Sequence, residues 1–287
     1  MCRMGDVLAG NHAVWEFDSD SVLIRFARGM RTPRLWHALG ERRIPLEALS
    51  GVDVSAAAGA MGRRETVVLR AVPRAGADPL MEAAAGQLKE GCDPYRLVLP
   101  GDRAPQAAAF ADAVRERLAP DRAEPADRFL VEVPQPPLQL KAYDARLGFD
   151  GSAVTFHWSR TGASSAKWRA GDQRFALADL SGVEWASPDR PGGGYLRLRP
   201  RDTAADPAPP DHDLAAAVFG TGYGAVHESL PFAAAVLAAL RGRAPVAAVP
   251  RARASDDRLT HLSELHSTGL LTDAEYATLR ASFTAGA

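Results

Sequence analysis

The chain has 287 residues, 46% of them hydrophobic, and a net charge of −1. That gives room for about two ordinary domains with buried cores, and no overall field drawing the protein toward nucleic acid or acidic lipid. Cys2 and Cys92 are the two cysteines, which argues against a structural disulfide and a thiolate zinc site and fits a reducing compartment. The N-terminal residues lack the apolar core of a secretory signal. The best apolar run, 230–240, is broken by Pro231 and is about half the ~20 residues that cross a bilayer. A cytoplasmic protein without a transmembrane segment is expected, with peripheral membrane contact left open.

The first elements are a strand pair over 12–27. Trp15 and Phe17 share one face, then Val22, Ile24 and Phe26, with Leu23 and Arg25 on the other side; this period of two marks half-buried β structure. Short strands follow at Thr66–Ala71 and Tyr95–Leu99. An amphipathic helix then carries Phe110, Val114 and Leu118 on one face, with Pro105 near its start. Residues 119–127 and 134–137 read as a linker. The second strand pair carries Val154, Phe156 and Trp158 around an Asp150-Gly151 turn, where both residues tolerate positive φ. Strands at Tyr195–Arg199 and Ala216–Phe219 and a helix with Phe232, Val236 and Leu240 complete this part. Pro231 is expected near that helix's start and Ser229 as its cap. Segment 200–213 reads as a mobile loop and 241–255 as an exposed tether. In the tail, Leu259, Leu262 and Leu265 form a helical stripe ended by Gly269. Thr272 to Glu275 form a capping box for a second helix with Tyr276, Leu279 and Phe283. A hairpin this small needs something to pack on.

These elements repeat. FDSDSVLIRF at 17–26 returns as FDGSAVTFHW at 149–158, LSGVDV at 49–54 as LSGVEW at 180–185, and FADAVRERL at 110–118 as FAAAVLAAL at 232–240. The offset falls from 132 to 122 along the copy, which places extra material in the first copy, within 75–94. One small domain has been duplicated. Short antiparallel strands closed by one helix are the layout of a pleckstrin-homology-like (PH-like) domain. The expected fold class is α+β, mainly β: two tandem PH-like barrels, each closed by a C-terminal helix, plus a two-helix hairpin. The expected domains are 8–119 and 137–243, joined by a linker at 120–136, then a flexible linker at 244–255 and the hairpin at 256–284.

Two resemblances follow from particular phrases. The tail, with Gly269-Leu270-Leu271-Thr272 and Glu275-Tyr276, resembles the bacterial short C-terminal domain SHOCT, with Tyr276 where Phe is usual and Arg280 where Lys is common. The body resembles an actinobacterial family of unknown function, DUF 4429, through RTPRLWHALGERRIPLEAL, DPYRLVL, TGASSAKWRAGDQRF, LSGVEW and GTGYGAVHESLPFAAAVL. That resemblance implies tandem PH-like domains and supplies no activity.

Candidate chemistry is sparse. Arg25, Arg28, Arg31, Arg34, Arg42 and Arg43 face only Glu41 across 25–43. Arginine forks suit a phosphate or an anionic lipid headgroup, and early hairpin loops of PH-like folds commonly hold anions. Arg28, Arg31 and Arg34 are the candidate ligand residues here, with Lys167 and Arg169 in the matching stretch of the second copy; the plainer alternative is a solvated basic loop. GTGYG at 220–224 lacks the lysine of a P-loop and reads as a tight turn. The seven histidines are scattered, and neither a metal site nor a cofactor is expected. No acid, base and nucleophile assemble into a catalytic motif, so an enzyme is not expected. Trp15, Trp158, Trp168 and Trp185 read as core or near-core residues, with Trp36 less clearly so, and nucleic acid is not an expected partner. The functional expectation is a non-enzymatic interaction or scaffold protein. Its hairpin, through Leu262, Leu265, Tyr276 and Leu279, binds a protein partner or drives self-association. The alternative is peripheral binding of anionic lipid or a phosphate ligand through 25–43.

Overall fold

A computed structural model describes residues 7–57, 65–201 and 208–243. The chain divides into a unit over 1–243 and a second over 244–287; the second, with the expected hairpin and its Leu262, Leu265, Tyr276 and Leu279, lies outside the described residues.

Each repeat is built from two antiparallel sheets and a helix. In the first, β1 (Val7–Ala9), β2 (Ala13–Phe17), β3 (Ser21–Phe26) and β4 (Glu41–Pro45) form a four-stranded sheet, and β5 (Leu49–Ala57), β6 (Thr66–Pro73) and β7 (Arg96–Pro100) a three-stranded one. The second repeats this with β8 (Leu138–Lys141), β9 (Ala145–Phe149), β10 (Ala153–Trp158) and β11 (Gln173–Ala176), then β12 (Leu180–Ala186), β13 (Tyr195–Pro200) and β14 (Ala216–Val218). A one-turn helix interrupts each four-stranded sheet before its last strand: α1 (Arg34–Leu39) and α4 (Ser165–Ala170). Gly40 and Gly171 end these helices at φ +63° and +69°, a conformation that a Cβ disfavours.

The expected closed barrels do not form. Short 3-10 turns at Leu46–Ala48 and Leu177–Asp179 carry the chain from one sheet to the other. At the far corner the sheets meet through one backbone hydrogen bond instead of a ladder: Asn11 N to Val98 O at 2.7 Å, matched by Tyr143 N to Val218 O at 2.9 Å. Among the described residues the chain is thus mainly β, with four open antiparallel sheets.

The closing helices are α3 (Ala104–Arg115) and α5 (Val226–Arg243). Their key contact is reproduced in both copies. Phe17 meets Phe110 edge-on at 6.2 Å and 67°, and Phe149 meets Phe232 at 6.3 Å and 68°. Pro105 lies at the start of α3 as expected. Pro231, however, lies inside α5, because that helix begins at Val226, before the Phe232 that opens its apolar face. Ser229 is likewise not a cap. It is fully buried, donates to Ala225 O at 3.0 Å and accepts from Trp185 Nε1 at 2.9 Å. At the Asp150-Gly151 turn only Gly151 takes positive φ; Asp150 Oδ1 accepts from the Ser152 and Ala153 N–H groups and from the Ser152 hydroxyl.

The extra material of the first copy does fall between β6 and β7, and it contains a helix the periodicity does not announce, α2 (Pro79–Ala84). α2 packs against α5 and β12 of the second repeat, and a single apolar cluster runs through both repeats. Asp78 anchors α2. Its Oδ1 accepts from Leu80 N at 2.8 Å as a helix cap, while its Oδ2 accepts from Arg42 Nη2 at 2.9 Å and from the Tyr95 hydroxyl at 2.7 Å. All three side chains are buried. Gln87, just beyond α2, donates to Trp185 O at 3.0 Å and accepts from Ser187 N at 3.0 Å. The segment read as a linker also packs. Ala126 N donates to Ala75 O and Leu130 N to Ala77 O, and Val131 is buried, because the apolar run 129–131 lies between its two proline-rich pieces.

Replacing Asp78 with Ala strands the buried Arg42 charge and is expected to cost about 3–5 kcal/mol, read as a lowered urea midpoint. Burial, reinforced by the Asp78 carboxylate, pushes the Tyr95 phenol well above its ordinary value. The unfolded chain sheds that proton first, so this stability is complete below pH ~10 and is lost as pH rises above it. Tyr95→Phe is expected to flatten that alkaline limb in pH-dependent denaturation.

Candidate anion-binding site

The second repeat carries a surface cleft of about 440 Å³ lined by Lys141, Tyr143, Arg146, His157, Ser159, Thr161 and Tyr223, among others. Strand register builds its floor. Lys141 on β8 lies opposite Arg146 on β9, and Arg146 lies opposite His157 on β10. Residues directly opposite across a sheet point to the same face, so two cations and an imidazole stand abreast. His157 Nδ1 is 2.7 Å from Asp172 Oδ2. Arg146 has no hydrogen-bonding or ionic partner among the described residues. Lys141 Nζ sits 5.0 Å from the Tyr223 ring centroid, and Tyr143 meets Tyr223 edge-on at 6.2 Å. Tyr143 is half exposed. Tyr223 comes from GTGYG, which is a tight turn as expected: Tyr223 N donates to Gly220 O, and Gly224 N to Lys141 O.

The row is specific to the second repeat. Its register counterparts in the first are Ala9, Val14 and Arg25. Arg25 is paired with Glu16 and Glu41, and the His157–Asp172 contact takes the place of Arg25–Glu41. Chemically, the cleft offers positive charge, hydroxyls and aromatic walls, a combination suited to an oxyanion.

The residues singled out in the sequence are not brought together. Arg28 and Arg31 lie exposed on the loop between β3 and α1, without partners among the described residues. Arg34 begins α1 and lines a separate cleft between the repeats, of about 590 Å³, with Cys92, Arg190 and His227. Arg42 belongs to the Asp78 anchor, and Arg43 binds Ser21 and Asp18. Arg169 is exposed.

Lys167 cannot meet a ligand. It is fully buried, and its Nζ donates to Asp144 Oδ2 at 2.6 Å, Pro210 O at 2.6 Å and Ala216 O at 2.8 Å, while lying 4.8 Å from the Trp158 centroid. Those three bonds use every donor of the ammonium. Burial raises the Asp144 carboxyl above its ordinary range, against the pull of Lys167. The Pro210 contact also pins the far side of the loop read as mobile, whose residues 202–207 lie outside the described ones.

With Lys167 turned inward on the short helix α4, Trp168 faces out and is 51% exposed, not the core or near-core residue expected. In the first repeat Trp36 fills the inward position, stacking on Phe26 at 5.1 Å. Among the described residues, no three His, Cys, Asp or Glu side chains converge to hold a metal ion, and no helix is long and apolar enough to cross a membrane. Lys141 and Arg146 are not among the residues that the sequence singles out. Their spacing around a hairpin turn was the available signal, but only the register shows them abreast.

Lys167→Ala is expected to lower stability by about 3–5 kcal/mol, since it leaves Asp144 buried and unpaired; thermal unfolding reads this directly.

The chain matches none of the curated proteins. The family described as Domain of unknown function (DUF4429) matches it twice, over residues 15–115 and 147–237, one match within each structural repeat. Because these two matches take in most of the chain, it belongs to the DUF4429 family.

Proposed function

We propose that the protein is a non-enzymatic interaction platform: two PH-like repeats joined into one body, followed by a SHOCT-like hairpin at 256–284 that binds a protein partner or associates with its own kind. The observation that carries this reading is how the buried charge is used. Arg42 with Asp78, Lys167 with Asp144, and Arg197 with Asp213 are ion pairs inside the fold, so the buried polar chemistry braces the scaffold. The arrangement of four strands, then three, then a helix supports the PH-like reading. The tail's resemblance to SHOCT supports the role given to the hairpin. Light scattering on the full chain and on a truncation ending at Arg243 tests it. The expected result is an oligomer for the full chain and a monomer for the truncation. Equal masses, together with the same crosslinked partners from lysate, would overturn the tail's role.

A second reading is favoured by Arg146, unpartnered among the described residues, beside Lys141: the cleft of the second repeat holds a phosphate-bearing ligand. This moves the anion site from 25–43 to the 141–157 sheet face. Inorganic pyrophosphate is expected to bind the full chain in calorimetry with an affinity that falls as salt rises. Lys141→Glu with Arg146→Glu is expected to abolish the heat of binding; an unchanged titration would sink this reading.

A further inference from the structure

The junction of the two repeats leaves a cleft that neither repeat could form alone. Its volume is about 590 Å³, within the range of small-molecule sites, which favour such junctions. The first repeat supplies Pro33, Arg34 and Leu35 around the start of α1, and Cys92 from the insertion that carries α2. The second supplies Pro188, Asp189 and Arg190 from the turn between β12 and β13, and Phe219 and Val226 from the segment joining β14 to α5. Both sides are braced. Trp36 Nε1 donates to Cys92 O at 3.0 Å, which fixes α1 against the insertion. Lys89 Nζ is 2.8 Å from Asp189 Oδ2, Arg190 N donates to Ser187 O at 3.2 Å, and Phe219 N donates to Gly194 O at 2.8 Å. A Cβ on Gly194 would come within 2.3 Å of Ala186 O, so this turn is closed down on itself.

The lining has two characters. Leu35 and Phe219, both buried, join Pro33, Pro188 and Val226 in an apolar part. Arg34 and Arg190 reach the same cleft from opposite repeats, and both are exposed. Arg34 has no hydrogen-bonding or ionic partner among the described residues, and Arg190 Nη1 meets the neutral Gln87 Oε1 at 3.3 Å. Asp189 also lines the cleft, but Lys89 already pairs with it. Two guanidinium forks beside an apolar lining match an anion that carries an apolar body. A carboxylate fits better than a phosphate, because its single charge loses less hydration beside Leu35 and Phe219 than a near-dianion does.

We infer that the cleft between the repeats binds a small organic carboxylate: its apolar body lies against Leu35, Phe219 and Val226, and its carboxylate engages Arg34 and Arg190. The 141–157 face has a different lining, with Lys141, Arg146 and His157 abreast on one sheet of the second repeat, so either site can fail without the other. Tyr223 lines both clefts and is left unchanged in the test.

Calorimetric titration of the full chain with 2-naphthoate tests it, with neutral 2-naphthamide supplying the apolar body alone and acetate the charge alone. Naphthoate is expected to bind, and the amide and acetate to bind about tenfold more weakly or less. Arg34→Gln and Arg190→Gln are each expected to weaken naphthoate about tenfold. Both alter exposed positions and should keep the wild-type melting temperature. Lys141→Glu with Arg146→Glu should bind naphthoate within about twofold of wild type. With Cys2→Ser leaving Cys92 as the one thiol, bound naphthoate is expected to slow the alkylation of Cys92 by iodoacetamide. The inference is overturned if wild type does not bind naphthoate, if the amide or acetate binds as tightly, if the arginine variants bind like wild type, if Cys92 stays as reactive, or if only the 141–146 variant loses binding.

Discussion

Asp78 is the point on which the body of this protein depends. One carboxylate caps α2, neutralises Arg42 from β4 and accepts the hydroxyl of Tyr95 beside β7. It thereby ties the inserted helix to both sheets of the first repeat. Since α2 is also the element that packs on α5 and β12, the same carboxylate indirectly positions the second repeat. The geometry suits the job: a buried ion pair stabilises poorly on balance, but leaving one member unpaired is expensive, so the anchor penalises alternative placements of α2 more than it adds net stability.

Duplication supplied two equivalent frameworks, and later substitutions gave them different interiors and surfaces. The edge contact between Phe17 and Phe110 and that between Phe149 and Phe232 nearly agree in distance and angle. Around these fixed points the inward residue of the one-turn helix is Trp36 in one copy and Lys167 in the other. The first stacks ring on ring against Phe26. The second lays an ammonium against Trp158 and needs Asp144 and two carbonyls to be tolerated there. On the outer face, Ala9 and Val14 in one copy correspond to Lys141 and Arg146 in the other.

Much of the architecture was legible in the sequence because it is periodic. The alternation in 12–27 and 149–158 marks the central hairpins, and the apolar faces of Phe110 to Val114 and Phe232 to Val236 mark the closing helices. The falling offset between copies places the insertion correctly. What escaped is aperiodic. α1, α2 and α4 are too short to show a helical stripe. The apolar run at 129–131 was hidden between proline-rich flanks. Of the candidate site, Arg28 and Arg31 are exposed as a basic loop should be. Lys167 could not be told from a surface lysine, because its partners Asp144, Pro210 and Ala216 lie far from it in sequence. Lys141 and Arg146 become neighbours of His157 only when three strands are placed in register.

The Gln87 bridge to Trp185 and Ser187, together with the packing of α2 on α5, has a geometric consequence. Two repeats sharing one core leave the spacing between a surface of the first repeat and the 141–157 face to the fold and not to a tether. Surfaces held at a fixed spacing discriminate among targets by their layout as well as by their chemistry, because a bivalent contact gains effective concentration only where both sites can engage at once.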